Sequence, residues 1–363
     1  MTSKANVLVV GTGGVGTMAV YALESGGHAR VTAVLRSNYE TVVAKGFSFD
    51  SVSHGKVSGW KPTAGKYPVV MRNLTLRKHL LTLMHFATVT NEVPSAEQAD
   101  QPFDFIVVTT KNTPDVPPTV ADLIVPAVTA GHTIIVLVQN GMNIESPVQQ
   151  AFPSNMVLSG VSYIGAKEVT PGHIWQSDPD VLFIGPFVHP AISKQTGLAA
   201  AKRFVDIYNA GGKVECQLDD DVAARRWRKL IYNASYNPVC AITQMDTSRL
   251  RLAKSPIDGL VRPLMGEIIT AAGAHGIELP TSLIDIMVNA EDIDEYFEPS
   301  MQQDIAKGNL TEYENIVGEP LRAAESKGVA TPTLRLIYEV MRALQWRTKE
   351  RKGLIQSLPP KRN

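Results

Sequence analysis

The chain has 363 residues, 44% hydrophobic and 19% charged, with 35 basic residues balanced by 35 acidic ones. That length exceeds one compact core and predicts about two domains, and the zero net charge provides no bulk attraction to nucleic acid or to a membrane surface. Two cysteines, Cys216 and Cys240, are too few for a disulfide framework or a zinc cluster and are expected to be buried thiols.

The opening MTSKANVLVVGTGG lacks a basic segment leading into a long apolar run and a cleavage site, and no stretch reaches the roughly 18 apolar residues of a membrane span. The expectation is a cytosolic protein, an organellar address being left open, whose partner is a small molecule. Strand and helix signals then alternate. NVLVVG (6–11) is a short apolar run ending in glycine, VGTMAVYALES reads as a helix stopped by Gly26 and Gly27, and RVTAVLR (30–36) is a β-branched strand. FDFIVVTTK (103–111) and HTIIVLVQNG (132–141) are further buried strands, with a crossover helix expected between them. This alternation predicts an α/β fold with a parallel sheet covered on both faces.

Residues 69–101 suggest a strand, a basic turn, another strand and a polar loop. MVLSGVSYIGA, HIWQS and VLFIGPF then read as antiparallel strands around TPG, followed by the helix AAAKRFVDIYNAGG and a last strand, KVECQ. At LDDDVAARRWRKL the pattern turns helical, with Asp219 to Asp221 as an N-cap and acidic first turn. The expected division is residues 1–218 as one domain, 219–351 as a helical one, and 352–363 as a loosely held tail, with a hinge near Leu218 whose closure would exclude water.

Gly11, Thr12, Gly13, Gly14, Val15 and Gly16 spell GTGGVG, a G-x-G-x-x-G that follows a strand and opens a helix. The first glycine permits the turn, the second lets backbone approach a pyrophosphate, the third packs helix on strand, and the helix N-terminus favours the phosphates. The second strand ends at Arg36 rather than at an acid, which suits the 2′-phosphate of NADP(H) better than the 2′-hydroxyl of NAD.

In WRKLIYNASYNP, Lys229, Asn233 and Asn237 are four residues apart. At about 100° per residue they share one helical face, near Arg226 and Gln244 and with Tyr236 at the edge. Asparagine is a poor helix former, so the face is either a solvated one or the lining of a site. A lysine there would suit carbonyl reduction, stabilising charge on the oxygen and delivering a proton. In residues 298–318, Ser300 follows a proline at an expected N-cap and Asp304 is one turn on. Thr311 with Glu314 three residues later fits a capping box, which would make Glu312 merely a first-turn acid.

As a set, GTGGVG, TTK before a crossover, QNGMN, WRKLIYNASYNP and PSMQQDI…TEYENIVG, with PGHIWQSD…VLFIG between them, resemble the ketopantoate reductase family. The resemblance implies a Rossmann-type N-terminal dinucleotide-binding domain, an all-helical C-terminal domain, an active site in the cleft, and reduction of 2-dehydropantoate to pantoate by NADPH. It further implies Lys229 as the proton donor to the nascent alkoxide and Glu312 as the active-site glutamate. Asn233, Asn237 and Ser300 would bind the substrate's hydroxyl and carboxylate, and Lys111 and Asn140 would stand at the nicotinamide end, Asn140 within reach of the substrate.

The sequence departs from the family pattern at Gln139, where histidine is common, in YFEPS, where an asparagine often stands, and in the longer region 53–101. These departures leave a second reading open, the same machinery turned to another keto acid or a ketone in specialised metabolism. A third reading, a non-catalytic NADP(H)-binding sensor, conflicts with the retained Lys229 and Glu312. Both a monomer and a homodimer fit the resemblance.

Overall fold

A computed structural model describes residues 4–62, 67–68, 86–87, 89–98 and 101–356. Most of the segment 69–101 lies outside the described residues, and so does the end of the tail.

The chain divides into two units, and the division is not a single cut. The first comprises Met1–Thr110, Pro118–Gln139 and Glu145–Val222; the second comprises Lys111–Pro117, Asn140–Ile144 and Ala223–Asn363. Where one boundary near Leu218 is expected, the chain instead lends two short early segments to the later unit.

In the first unit, β1 (Ala5–Val10), α1 (Gly14–Ser25), β2 (Ala29–Val34) and α2 (Tyr39–Lys45) lead into the hairpin β3 (Phe47–Ser51) and β4 (Gly55–Trp60). The short pair β5 (Tyr67–Pro68) and β6 (Phe86–Ala87) precedes β7 (Val89–Thr90), β8 (Phe105–Val108), α3 (Val120–Ile124), β9 (Ile134–Leu137) and α4 (Ser146–Ala151). Then come β10 (Val157–Ser162), β11 (Ala166–Thr170), β12 (His173–Gln176), β13 (Val181–Pro186), α5 (Lys194–Asn209) and β14 (Glu215–Leu218). The main sheet runs β14-β13-β10-β9-β8-β1-β2-β7 and is parallel except where β13 opposes β10. β1 lies between β2 and β8 and all six of its residues are buried, which explains its unbroken apolar run. Each fully buried Val or Leu there contributes about 1.5–3 kcal/mol.

A second sheet runs β11-β12-β3-β4, with β11 and β12 as the antiparallel pair around TPG. β11 crosses the start of α1: a Cβ on Gly14 would collide with the Ala166 carbonyl and meet Lys167 N at 2.8 Å. The expected crossover helix shrinks to α3, capped by a Thr119–Asp122 box, because the prolines around it limit its length.

The second unit is helical: α6 (Val222–Asn233), α7 (Tyr236–Thr243), α8 (Thr247–Ala253), α9 (Arg262–Ala274), α10 (Leu283–Val288), α11 (Ser300–Ala306), α12 (Glu319–Ser326) and α13 (Pro332–Arg351). Leu230, Ile231, Tyr236, Val239, Leu264, Ile268, Leu334 and Met341 are among the residues of its core. Along α13 the buried stripe is Leu334, Ile337, Met341, Gln345 and Thr348, so its last two positions are polar. Both cysteines are buried. No described helix is long and apolar enough to cross a membrane.

Candidate active site

The glycine loop is built by carbonyls held inward. Thr109 Oγ1 donates to the Gly11 carbonyl, while Thr17 Oγ1 (3.2 Å) and Asn38 Nδ2 (2.9 Å) donate to that of Thr12. Gly11 has φ +99°, and a Cβ there would lie 2.6 Å from Thr110 N. A Cβ on Gly16 would collide with the Gly11 carbonyl and lie 2.5 Å from Thr109 Oγ1, the close helix–strand packing expected of the third glycine. Gly13 is different: it is exposed, its φ of −77° suits any residue, and a Cβ on it would meet nothing within 4 Å. It also precedes a twelve-residue helix that has no side-chain cap and no acid in its first turn. These features fit a pyrophosphate approaching at Gly13, drawn by the uncapped helix start.

Arg36 is exposed just past the end of β2. Behind it Asn38 is buried, and its amide also donates to Glu168 Oε1 at 2.8 Å, which accepts from Gly172 N at 2.8 Å as well. Asn38 and Glu168 therefore tie β11 to the glycine loop. Sequence reasoning missed both, since no local pattern marks a bond across 130 residues.

In the helical unit, the predicted stripe is not one helix. α6 ends at Asn233, Ala234 and Ser235 make a turn, and Asn237 belongs to α7. Pro238 is the cause, since it has no N–H for the Ala234 carbonyl and its ring would clash with that group. The Ser235 hydroxyl reinforces the break by donating to Ile231 O at 2.5 Å. Gln244 ends α7 in a left-handed conformation, off any shared face. Asn233 and Asn237 are both buried, which excludes a solvated stripe.

Lys229 Nζ donates to Asn140 Oδ1 at 2.8 Å. Asn140 is held there by the glycine after it. Gly141 has φ +92°, and a Cβ on it would lie 2.6 Å from Asn315 Cβ. Met142 N donates to Asn315 O at 2.7 Å, Asn315 Nδ2 returns a bond to Met142 O at 3.0 Å, and the buried Arg226 donates to Gly141 O at 2.9 Å. Burial, the Arg226 charge beside it, and a partial opposing pull from Glu312 set the Lys229 ammonium down to about 8.

Glu312 is buried and accepts from Asn112 N at 3.0 Å, with Lys111 Nζ 3.5 Å from its other oxygen. Lys111 also contacts Asp304 at 2.7 Å. Burial alone would lower the Lys111 pKa, but Glu312 and Asp304 outweigh it and hold the ammonium above the usual lysine range. The capping-box expectation fails. The Thr311 hydroxyl turns to Gln345, and Glu314 accepts from Arg322 (2.8 Å) and Tyr338 (3.0 Å). Ser300 is the first helical residue of α11 rather than its cap, which is Pro299.

Two family models match the chain. The model described as "Ketopantoate reductase PanE/ApbA" matches residues 7–189, and its "C terminal" counterpart matches residues 221–345. The chain belongs to the ketopantoate reductase family. An uncharacterized protein of Saccharomyces cerevisiae is 33% identical over 96% of each chain. A 2-dehydropantoate 2-reductase of Nostoc sp. is 26% identical over 62% of this chain and 70% of its own. The crystal structure of 2-dehydropantoate 2-reductase from Methylococcus capsulatus superposes with a TM-score of 0.73 at 29% identity, covering 95% of this chain and 98% of that one. As a family member the protein is an oxidoreductase acting on a CH–OH/C=O group with a nicotinamide dinucleotide.

Of the predicted residues, Lys229 and Asn140 form one contact pair and Lys111 and Glu312 another, all in the helical unit. Among the described residues, the side chains of Asn233, Asn237 and Ser300 make no hydrogen bond to protein. The charge partner that the sequence left unassigned is Asp304, whose only local signal is its place one turn after Ser300.

Proposed function

We propose that this ketopantoate reductase family member reduces 2-dehydropantoate to pantoate with NADPH. Lys229 carries the reading: it is tied to Asn140, and its proton affinity is lowered to about 8, so it holds a proton at neutral pH yet releases it readily. When bound, a nicotinamide dinucleotide would supply the hydride that the keto carbon receives. Lys229 then hands its proton to the oxygen on which charge builds, and its positive charge stabilises that oxygen beforehand. Asn140 aims the ammonium. Glu312 balances its charge and, with Lys111 and Asp304, keeps the pocket electrically ordered. Asn233, Asn237 and Ser300 would take the substrate's hydroxyl and carboxylate, their amides and hydroxyl adding no net charge. In the first unit, Gly11 to Gly16 would cradle the pyrophosphate of the dinucleotide and Arg36 would pair with its 2′-phosphate.

A second reading rests on Gln139, where the family often has histidine. Its Nε2 is bonded to Thr110 O at 2.7 Å. A neutral amide there allows a different keto acid or a ketone as the preferred substrate. Following NADPH absorbance with 2-dehydropantoate, a panel of 2-keto acids and plain ketones tests both readings. Efficient turnover of 2-dehydropantoate supports the first; a clearly better ketone replaces it with the second. Sedimentation of the purified chain decides between the monomer and the homodimer that the family resemblance leaves open.

A further inference from the structure

A glutamine occupies a core position on α13. Gln345 is 1% exposed and continues the stripe of Leu334, Ile337 and Met341. A buried amide needs partners, and those of Gln345 come from both sides of the lysine–carboxylate cluster. Its Oε1 accepts from Thr311 N at 3.0 Å and Thr311 Oγ1 at 3.3 Å, and its Nε2 donates to Thr311 O at 3.3 Å. Both backbone groups of the residue before Glu312 are thus gripped by one side chain. The same Nε2 reaches the Asp115 carboxylate at 3.4 Å. One turn further on, Lys349 Nζ binds Asp115 Oδ2 at 2.7 Å and Asp115 O at 3.0 Å. Asp115 lies on the short segment that also carries Lys111 and Asn112, both of which meet Glu312.

We propose that Gln345 is a positioning residue that sets Glu312 against Lys111 and Lys229. Its Oε1 holds the Thr311 backbone N–H, and its Nε2 is shared between the Thr311 carbonyl and the Asp115 carboxylate of the segment that carries Lys111 and Asn112. An apolar side chain would fill the core equally well, so what the amide adds is registration of two loops remote in sequence. The inference rests on the reading of Glu312 and Lys229 as reaction residues, and its test is chosen to need no substrate.

The full-length protein labelled with ¹³C at lysine Cε is titrated by NMR, the Lys229 signal being identified by its loss in Lys229→Arg. Burial and, after it, Arg226 pull the Lys229 midpoint down, and Glu312 holds it up. A loosened Glu312 therefore lowers it. Gln345→Met, neutral and of similar volume, is expected to reduce the proton affinity of Lys229 by about threefold or more. Gln345→Asn, whose amide stops one methylene short, moves it in the same direction and serves if the methionine variant does not fold. Thr348→Val, on the same buried face but bonded only within its own helix, leaves the midpoint in place. An unmoved midpoint in a folded Gln345 variant overturns the proposal, as does an equal fall in Thr348→Val. Absence of reductase activity in the wild type overturns the catalytic reading alone and leaves the titration to decide on Gln345.

Discussion

Lys111 and Asp304, 193 residues apart in sequence, meet at 2.7 Å. This pair joins the TTK segment to the PSMQQD segment and, with Glu312, forms a cluster of one lysine between two carboxylates. Lys111, only partly withdrawn from solvent, remains charged because the two anions together outweigh that partial desolvation.

Asp304→Asn separates the pair's structural from its functional part. The Lys111 side chain is 46% exposed, so solvent screens the pair and its loss should cost about 1 kcal/mol or less in stability. Turnover should suffer more, with kcat/KM falling about tenfold, equivalent to roughly 1.4 kcal/mol in the transition state. A thermal melt beside a rate measurement reads both; a large loss of Tm with an unchanged rate would make the pair structural only.

For Lys229, rate and stability should respond to pH in opposite senses. The proton donor must be charged, so kcat/KM for reduction should be level below about pH 8 and fall about tenfold per pH unit above it. The folded protein binds this proton more weakly than the unfolded chain, so stability rises with pH between about 8 and the ordinary lysine value of 10.5. Below about 8 the charged group costs stability. Lys229→Met should therefore lose about 10²–10⁴-fold in turnover, still bind NADPH, and melt higher than the wild type at pH 7, the gain shrinking towards pH 10.5. Full turnover in this variant sinks the assigned role.

Gly13 and Gly16, three residues apart, should fail differently when substituted. Gly16→Ala drives a methyl group into the Gly11 carbonyl and should destabilise the fold by roughly 1–3 kcal/mol. Gly13→Ala meets open space, so it should fold as the wild type does but bind NADPH about tenfold more weakly. Tight cofactor binding by a folded Gly13→Ala protein would remove the pyrophosphate from that position.

Arg36→Ala tests the cofactor preference. Losing a charge-assisted bond of about 1.5–3 kcal/mol should weaken NADPH binding by roughly 10- to 100-fold while leaving NADH nearly untouched. Fluorescence titration with both cofactors measures this, and an unaltered preference would be evidence against Arg36 as the phosphate partner.

Much of this was legible locally. NVLVVG announces a strand covered on both faces because every one of its apolar side chains must be buried, and β1 obeys. The spacing of Gly11, Gly13 and Gly16 reports steric demands within a single strand–turn–helix. WRKLIYNASYNP shows polar residues where a core would be expected, yet its uniform spacing concealed the break that Pro238 makes between Asn233 and Asn237. Thr311 and Glu314 satisfy a capping pattern in sequence, while in the fold both find other partners, Gln345 and Arg322.

The sequence by itself therefore determined the α/β alternation, the glycine loop between β1 and α1, the helical second half and the family, since each is written in periodicity or in short motifs. Only the tertiary structure decided that Lys111–Pro117 and Asn140–Ile144 belong to the helical unit, that Asp304 is the partner of Lys111, and that Gln345 grips Thr311. Backbone periodicity records whether a side chain is buried, because burial repeats with the turn of a helix or the pleat of a strand. It does not record which distant group a buried lysine or amide will meet. That choice, and with it the lowered proton affinity of Lys229, is made only when the chain closes its long loops.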